Sequence, residues 1–229
     1  MISIDLPSLE ITPSSKLEAI YKLVQSTPEL GFAYKANLRD HIRENAERGT
    51  LWAAYEDSAL AGVAMAGSRR LYTHLMRHGE ISVLSEYRRR RIGTALYAAQ
   101  VLQALLEGRR EVEDTIIPSL SPWMAGPTDC GPGFLPALQY AHVGTLPART
   151  GGFRDVALFV KSTIQVKDYL VRLPSDVAIE VRDSEKVKNT FEKNVHTYSE
   201  HDPALAEKVR KLRTAIIPAL DFVTVLGGE

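Results

Sequence analysis

Val83-Leu84-Ser85-Glu86-Tyr87-Arg88-Arg89-Arg90-Arg91-Ile92-Gly93-Thr94-Ala95-Leu96 is the stretch on which the reading of this chain turns. A short apolar strand, Ile81 to Leu84, runs into a polar loop with four consecutive arginines. The loop closes next to a glycine, and an apolar helix pattern begins at once. The pattern predicts a helix from Ile92 to about Glu107, with Ile92, Leu96, Ala99, Gln103 and Leu106 on one stripe and Gly108 as its stop. The unpaired N–H groups of a helix's first turn, together with its dipole, form a site for phosphate. Gly93 lets a ligand approach the backbone where a Cβ would block it. Four arginines alone also describe a solvated face or a nucleic-acid patch. The strand before them and the helix after them favour a bound anion.

Composition narrows the classes. Of 229 residues, 45% are hydrophobic and 24% charged, which is ordinary for a globular chain long enough for one large domain, or one domain with an appendage. The formal net charge is +0, so the positive charge at 88–91 is local, and broad nucleic-acid binding is disfavoured. One cysteine, Cys130, excludes an internal disulfide framework and fits a reducing, cytoplasmic setting. No apolar run reaches the ~20 residues needed to span a bilayer. Met1 to Asp5 lacks the pattern of a signal peptide.

Along the chain, residues 1–12 read as an extended lead-in. Ser14 or Ser15 caps a helix to about Gln25, and a second helix runs from about Lys35 to Arg48, ended by Gly49. Leu51–Tyr55 and Leu60–Ala66 are strands apolar at nearly every position, as in a central sheet. Residues 67–78 either extend the second strand or form a loop. Val112 to Ile117 is a strand, 118–133 a long loop rich in proline and glycine, Phe134 to about His142 a short helix, and Val156 to Lys161 a strand. Asp202-Pro203 opens a helix with Leu205, Val209, Leu212 and Ile216 on one stripe, and Ser184 to Val195 is weakly helical.

Arg90-x-x-Gly93-x-Ala95 resembles the Arg/Gln-x-x-Gly-x-Gly/Ala signature of the GNAT superfamily of N-acetyltransferases. Tyr140-x-x-x-Gly144 resembles that family's Tyr-x-x-x-Gly-Phe, with Thr145 in place of the phenylalanine. Arg91 stands where the family often has glycine. Gly131, Gly133 and Phe134 stand where it usually has an asparagine. The resemblance covers about residues 10–162. It implies a mixed α/β (α+β) fold, a mostly antiparallel central sheet flanked by helices, with residues 1–162 as the acetyl-CoA-binding domain and 163–229 as a mostly helical C-terminal extension.

The resemblance also implies roles. Arg88, Arg89, Arg90, Arg91, Ile92, Gly93, Thr94 and Ala95 would hold the pyrophosphate of acetyl-CoA, the co-substrate. Backbone groups of Val83 and Leu84 would face the pantetheine arm, where two strands splay apart. Tyr140 would protonate the leaving thiolate, and Glu80, at the start of the strand that leads to the loop, would take the amine's proton. Phe32, Tyr34, Trp123 and Asp129 fall where the family builds acceptor pockets. No metal is expected: His142 and the other histidines lack ligand spacing. Nothing local lowers the pKa of Cys130, so direct attack by the amine fits better than a covalent intermediate.

The favoured activity is therefore acetyl transfer to an amine, on a small molecule or a protein, without membrane. A catalytically degenerate binding or regulatory module, and an enzyme that modifies nucleic acid or its bases, are the alternatives. The apolar stripe of the last helix and the apolar sequel Ile216–Leu226 need cover, either from a second subunit in a homodimer or as a lid on the acceptor face.

Overall fold

Among the described residues nine strands form one sheet, and the helices lie on its two faces. The computed structural model describes residues 1–10, 12–27, 36–69, 72–116, 124, 126, 133–146, 156–166, 170, 172–173 and 175–227. In chain order the elements are β1 (Ile2–Asp5), α1 (Ser14–Ser26), α2 (Leu38–Arg48), β2 (Leu51–Glu56), β3 (Ala59–Arg69), β4 (Tyr72–Val83), α3 (Ile92–Leu106), β5 (Glu111–Ile116), α4 (Phe134–Ala137), β6 (Ala141–Leu146), β7 (Val156–Ser162), β8 (Val177–Arg182), α5 (Glu185–Ser199), α6 (Pro203–Ile216) and β9 (Val223–Leu226). The strands lie in the order β6-β7-β5-β4-β3-β2-β1-β8-β9. Neighbours are antiparallel except β4–β5, β1–β8 and β8–β9.

The apolar run of β2 is explained by burial on both sides. Leu51 and Ala53 face α1 and α2, packing with Ile20, Val24 and Ile42. Trp52 and Ala54 face the other layer. That layer is built on α3, which is buried on every side from Ala95 to Leu106 because the sheet lies beneath it and α5 and α6 lie beside it. A helix enclosed in this way reads as apolar all round.

The C-terminal residues dock onto α3 by polar contacts as well as apolar ones. Gln103 accepts from the Arg182 N–H (2.8 Å) and donates to the Arg182 carbonyl (3.0 Å), so it pairs with β8 as a strand would. Carbonyls at and just beyond the end of α3 are met from the same region. Arg213 Nε donates to Leu106 O (3.2 Å), Asn194 Nδ2 to Glu107 O (2.9 Å) and the Tyr198 hydroxyl to Gly108 O (3.3 Å). Burial pushes the Tyr198 phenol up to about 12. Ser184 and Asp202 cap α5 and α6 through the N–H groups of Val187 and Leu205.

Several elements differ from the sequence reading. Residues 2–5 form β1, held between β2 and β8, with Ile2 and Ile4 inward. Residues 72–78 belong to β4, which forms a long hairpin with β3. The helix from Phe134 ends at Ala137 rather than His142. Gln139 is left-handed (φ 63°), the Tyr140 N–H reaches back to Leu135 O (3.0 Å), and the buried Lys161 ammonium donates to Leu138 O (2.7 Å). The chain then turns into β6, which pairs with β7.

The extension adds two strands to its two helices, and the stripe of α6, with Ala206, Val209 and Ile216 buried, is covered within the chain itself. Among the described residues no helix is long and apolar enough to cross a membrane.

Gly108 follows α3 with φ +67°, and a Cβ there would lie 2.7 Å from Phe191 O and 3.0 Å from a Val195 methyl on α5. Left-handed strain and the backbone clash together predict that Gly108→Ala destabilises the fold by about 2–4 kcal/mol. Urea unfolding measures this, and an unchanged midpoint would mean that α5 does not press on this turn.

Candidate functional site

The site begins with an irregularity in the sheet. β4 pairs with β3 as Ala64↔Ile81 and then Ala66↔His78, so Gly79 and Glu80 stand opposite the single residue Met65. This is a β-bulge. Gly79 fits because a Cβ there would lie 2.8 Å from the Met65 carbonyl oxygen. β4 also pairs with β5, but only from Leu75 to Arg77. Beyond that point both strands continue, to Val83 and Ile116, without a further pairing between them. The Leu84 N–H bonds to Ala61 O on the β3 side (2.9 Å). By the alternation of an antiparallel ladder, Ile81 and Val83 therefore turn their backbone polar groups to the open side.

Above the opening lies a cavity of about 460 Å³, lined by β4 (Ile81, Val83), the arginine loop (Tyr87, Arg88, Arg89, Arg91), the first turn of α3 (Ile92, Gly93, Thr94) and Phe134 of α4. The arginines divide into two groups. Arg88, Arg89 and Arg91 line the cavity, and Arg88 Nε is steadied by the Val83 carbonyl (3.0 Å). Arg90 turns away, paired with Glu56 (2.7 Å) and lying 5.5 Å over the Tyr87 ring.

The loop holds Arg89 and Arg91 at φ 64° each, left-handed conformations that cost a non-glycine residue roughly 1–2 kcal/mol apiece. Arg91, in the place where the resembled family often has glycine, is the residue that turns the chain into α3. No side chain caps α3, and its first intrahelical bond is Ala95 N–H to Arg91 O (3.0 Å). The N–H groups of Ile92, Gly93 and Thr94 are thus outside the helical ladder. Gly93 has no left-handed φ. A Cβ on it would meet Phe134 at 3.6 Å and Ile81 at 3.9 Å, so its lack of a side chain leaves space in the cavity rather than freeing the backbone.

Tyr140 sits deeper. It is buried, and its hydroxyl bonds to His78 Nε2. The proton positions along this chain follow from its far end. Gln100 Nε2 donates to the Met65 carbonyl at the bulge (3.2 Å), so its oxygen faces His78 Nδ1, which must be the protonated ring nitrogen. His78 Nε2 then accepts from Tyr140. Tyr97 lies between this chain and the cavity. Its ring is 4.2 Å from His78 and 5.1 Å, edge-on, from Phe134, and its hydroxyl donates to Asp114.

The structure thus brings Val83, Arg88, Arg89, Arg91, Ile92, Gly93 and Thr94 together. Three residues expected with them are placed otherwise. The Leu84 N–H is taken by the sheet, Arg90 is paired outward, and Ala95 is buried behind the helix. Tyr140 is not among the residues that line the cavity. Glu80 lies in the bulge, and its side chain is outside the described residues, as are Phe32, Tyr34, Trp123, Asp129 and Cys130. Sequence reasoning missed Tyr87, Gln100 and the role of His78. The one available signal was Gln100, an amide in the middle of an apolar helix.

Burial lowers the His78 imidazole from 6.5 to about 4, against a smaller upward pull from Gln100. Between those values the unfolded chain binds a proton that the folded chain does not. Stability therefore rises with pH through this window and is lost as pH falls from 6.5 toward 4, by about 3 kcal/mol in all. His78→Gln keeps a donor and an acceptor without the titration. Its unfolding free energy is expected to fall less than the wild type's over pH 6.5 to 4, and parallel curves would show that His78 titrates normally.

Residues 17–112 match the model of the Acetyltransferase (GNAT) family. At the level of sequence no curated protein matches the chain. Among solved structures, a GNAT-family protein from Desulfovibrio desulfuricans is 17% identical with a TM-score of 0.58, covering 71% of this chain and 99% of its own. An N-acetyltransferase from Staphylococcus aureus Mu50 is 19% identical with a TM-score of 0.54, at the same coverages. A diaminobutyrate acetyltransferase from Paenibacillus lautus, solved with L-2,4-diaminobutyric acid and coenzyme A, is 16% identical with a TM-score of 0.52, covering 71% and 95%. At these identities the likeness is one of fold. The family match covers the segment that builds the bulge, the arginine loop and α3, and the likeness of fold reaches over 71% of the chain.

Proposed function

We propose that the protein is an acetyl-CoA-dependent N-acyltransferase that moves an acetyl group to an amine by direct attack on the thioester. The observation that carries this reading is the cavity at the uncapped N-terminus of α3, walled by Arg88, Arg89 and Arg91 and set against the unpaired side of β4. The coenzyme supplies an activated acyl thioester. The chain supplies its grip: N–H groups of residues 92–94 and the three guanidinium groups for the pyrophosphate, and the open backbone edge at Ile81 and Val83 for the amide-bearing arm. Glu80 takes the proton from the attacking amine. Tyr140 gives its phenolic proton to the departing thiolate when the O–H swings from His78 to sulfur. The swing leaves the buried His78 Nε2 unmet at about 1–3 kcal/mol, a cost that the new bond to sulfur offsets. Residues 163–229 are assigned to shaping the coenzyme side of the domain rather than to acetyl chemistry.

A second reading, a binding or regulatory module on the same fold, is favoured by the burial of Tyr140 and the engagement of its hydroxyl inside the core. Calorimetry with acetyl-CoA followed by thiol release across a panel of amines separates the two: binding with no turnover on any amine supports the module.

Gly93→Val is expected to abolish acetyl-CoA binding with the fold intact, because its methyl groups would project between Phe134 and Ile81 into the phosphate site. Wild-type affinity in that variant would remove the coenzyme from this cavity.

Tyr140→Phe is expected to lower kcat by roughly ten- to a thousandfold with little change in acetyl-CoA affinity. It also leaves His78 Nε2 without its partner, so stability is measured in parallel. Unchanged turnover would make Tyr140 a packing residue.

A further inference from the structure

We infer that Arg172, in the C-terminal extension, is a positioning residue that ties the two walls of the cavity together and so sets the affinity for the coenzyme. The inference rests on the reading of the cavity as a coenzyme A site. It concerns a residue outside the matched family segment, which ends at 112.

One wall of the cavity is the arginine loop, and the other is α4, which contributes Phe134. Arg172 bonds to both. Its backbone carbonyl accepts from Arg91 Nη1 at 2.8 Å, and its own Nη1 donates to the carbonyl of Ala137, the last residue of α4. The anchor is itself held, since Leu170 and Leu173 pack against the main core. A single residue thus links the residue that leads into α3, the core-packed Leu170 and Leu173 beside it, and the end of α4.

Arg91 is a costly residue to leave loose. Its backbone is left-handed, and its long side chain would lose up to about 2 kcal/mol of rotamer freedom if an anion had to order it on binding. The Arg172 carbonyl engages one of its five N–H donors and fixes the side chain beforehand. A planar guanidinium keeps the capacity to meet phosphate with its other donors. On the opposite side, the bond to Ala137 O holds α4, and with it Phe134, against the loop. Both contacts are made within the chain itself, and a site ordered in advance binds more tightly because less ordering remains to be done.

The test uses the full-length chain and coenzyme A itself as the probe, titrated calorimetrically. Arg172→Ala is expected to weaken binding roughly 5- to 20-fold, and Arg172→Lys, whose ammonium can still donate to Ala137 O, to fall between it and wild type. Arg172→Ala keeps the carbonyl that holds Arg91 and removes the bond to Ala137 O that anchors residue 172. In the double variant Arg91→Ala/Arg172→Ala the loss is therefore expected to be smaller than the sum of the two single losses, because either change alone already breaks the tie between the walls. Arg172→Lys also serves if the alanine variant does not fold.

Wild-type affinity in both single variants of Arg172 overturns the inference. So do losses that simply add in the double variant, since Arg172 would then act independently of Arg91. Failure of the wild-type protein to bind coenzyme A would instead reject the coenzyme reading beneath it, and the two failures are distinguishable from the wild-type titration alone.

Discussion

The rest of the structure depends on how the two ends of one buried helix are satisfied. Every helix leaves N–H groups at its start and carbonyls at its end without intrahelical partners. On a surface helix water meets them. α3 is enclosed from Ala95 onward, so water is not available at its end, and an unmet buried carbonyl costs about 1–3 kcal/mol. Three residues of the extension, Asn194, Tyr198 and Arg213, meet the carbonyls there, and Gln103 fastens β8 to the helix flank. The extension is therefore part of what allows α3 to be so apolar. At the other end no side chain caps the helix, and the unmet N–H groups open into a cavity walled by arginines. One end is closed by protein and the other opens into the cavity.

The second constraint is the bulge at Gly79–Glu80. It separates the end of β4 from β5 and exposes the strand's polar edge. It also leaves the Met65 carbonyl facing Gln100, from which a chain of hydrogen bonds passes through His78 to Tyr140. The irregularity that opens the sheet therefore also fixes the tautomer of a buried histidine and the direction of a tyrosine's proton. Burial holds that histidine neutral through the physiological range, so its Nε2 stays an acceptor for the tyrosine hydroxyl.

The arginine loop and α3 were legible because their signals are local: strand, cations, glycine and helical periodicity lie within one short stretch. The apolar strands β2 and β3 were legible because both faces are buried. β1 was not, since four residues carry little pattern and its strand character comes from two partners, one of them near the far end of the chain. β6 was hidden because the helix before it ends on a left-handed glutamine and a lysine–carbonyl bond from β7, neither of which spacing reveals. The division of the four arginines was equally hidden. Arg90 is drawn outward by Glu56, and Arg91 is fixed by the backbone of residue 172. Contacts separated by 34 and 81 positions leave no trace in a window of sequence.

That division explains how a chain of zero net charge can concentrate attraction on one small anion. Arg90 is paired with Glu56 outside the cavity, while Arg88, Arg89 and Arg91 line it beside the positive end of α3, equivalent to about half a unit charge. A diphosphate diester carries two negative charges within a few ångströms, a compact target for cations that converge. A nucleic-acid backbone spreads its charges along a line and requires a basic stripe to follow it. Here the cations converge on a cavity, two of the three in strained backbone conformations. Such strain persists only where the surrounding structure holds it, and at Arg91 the hold comes from the loop on one side and the extension on the other.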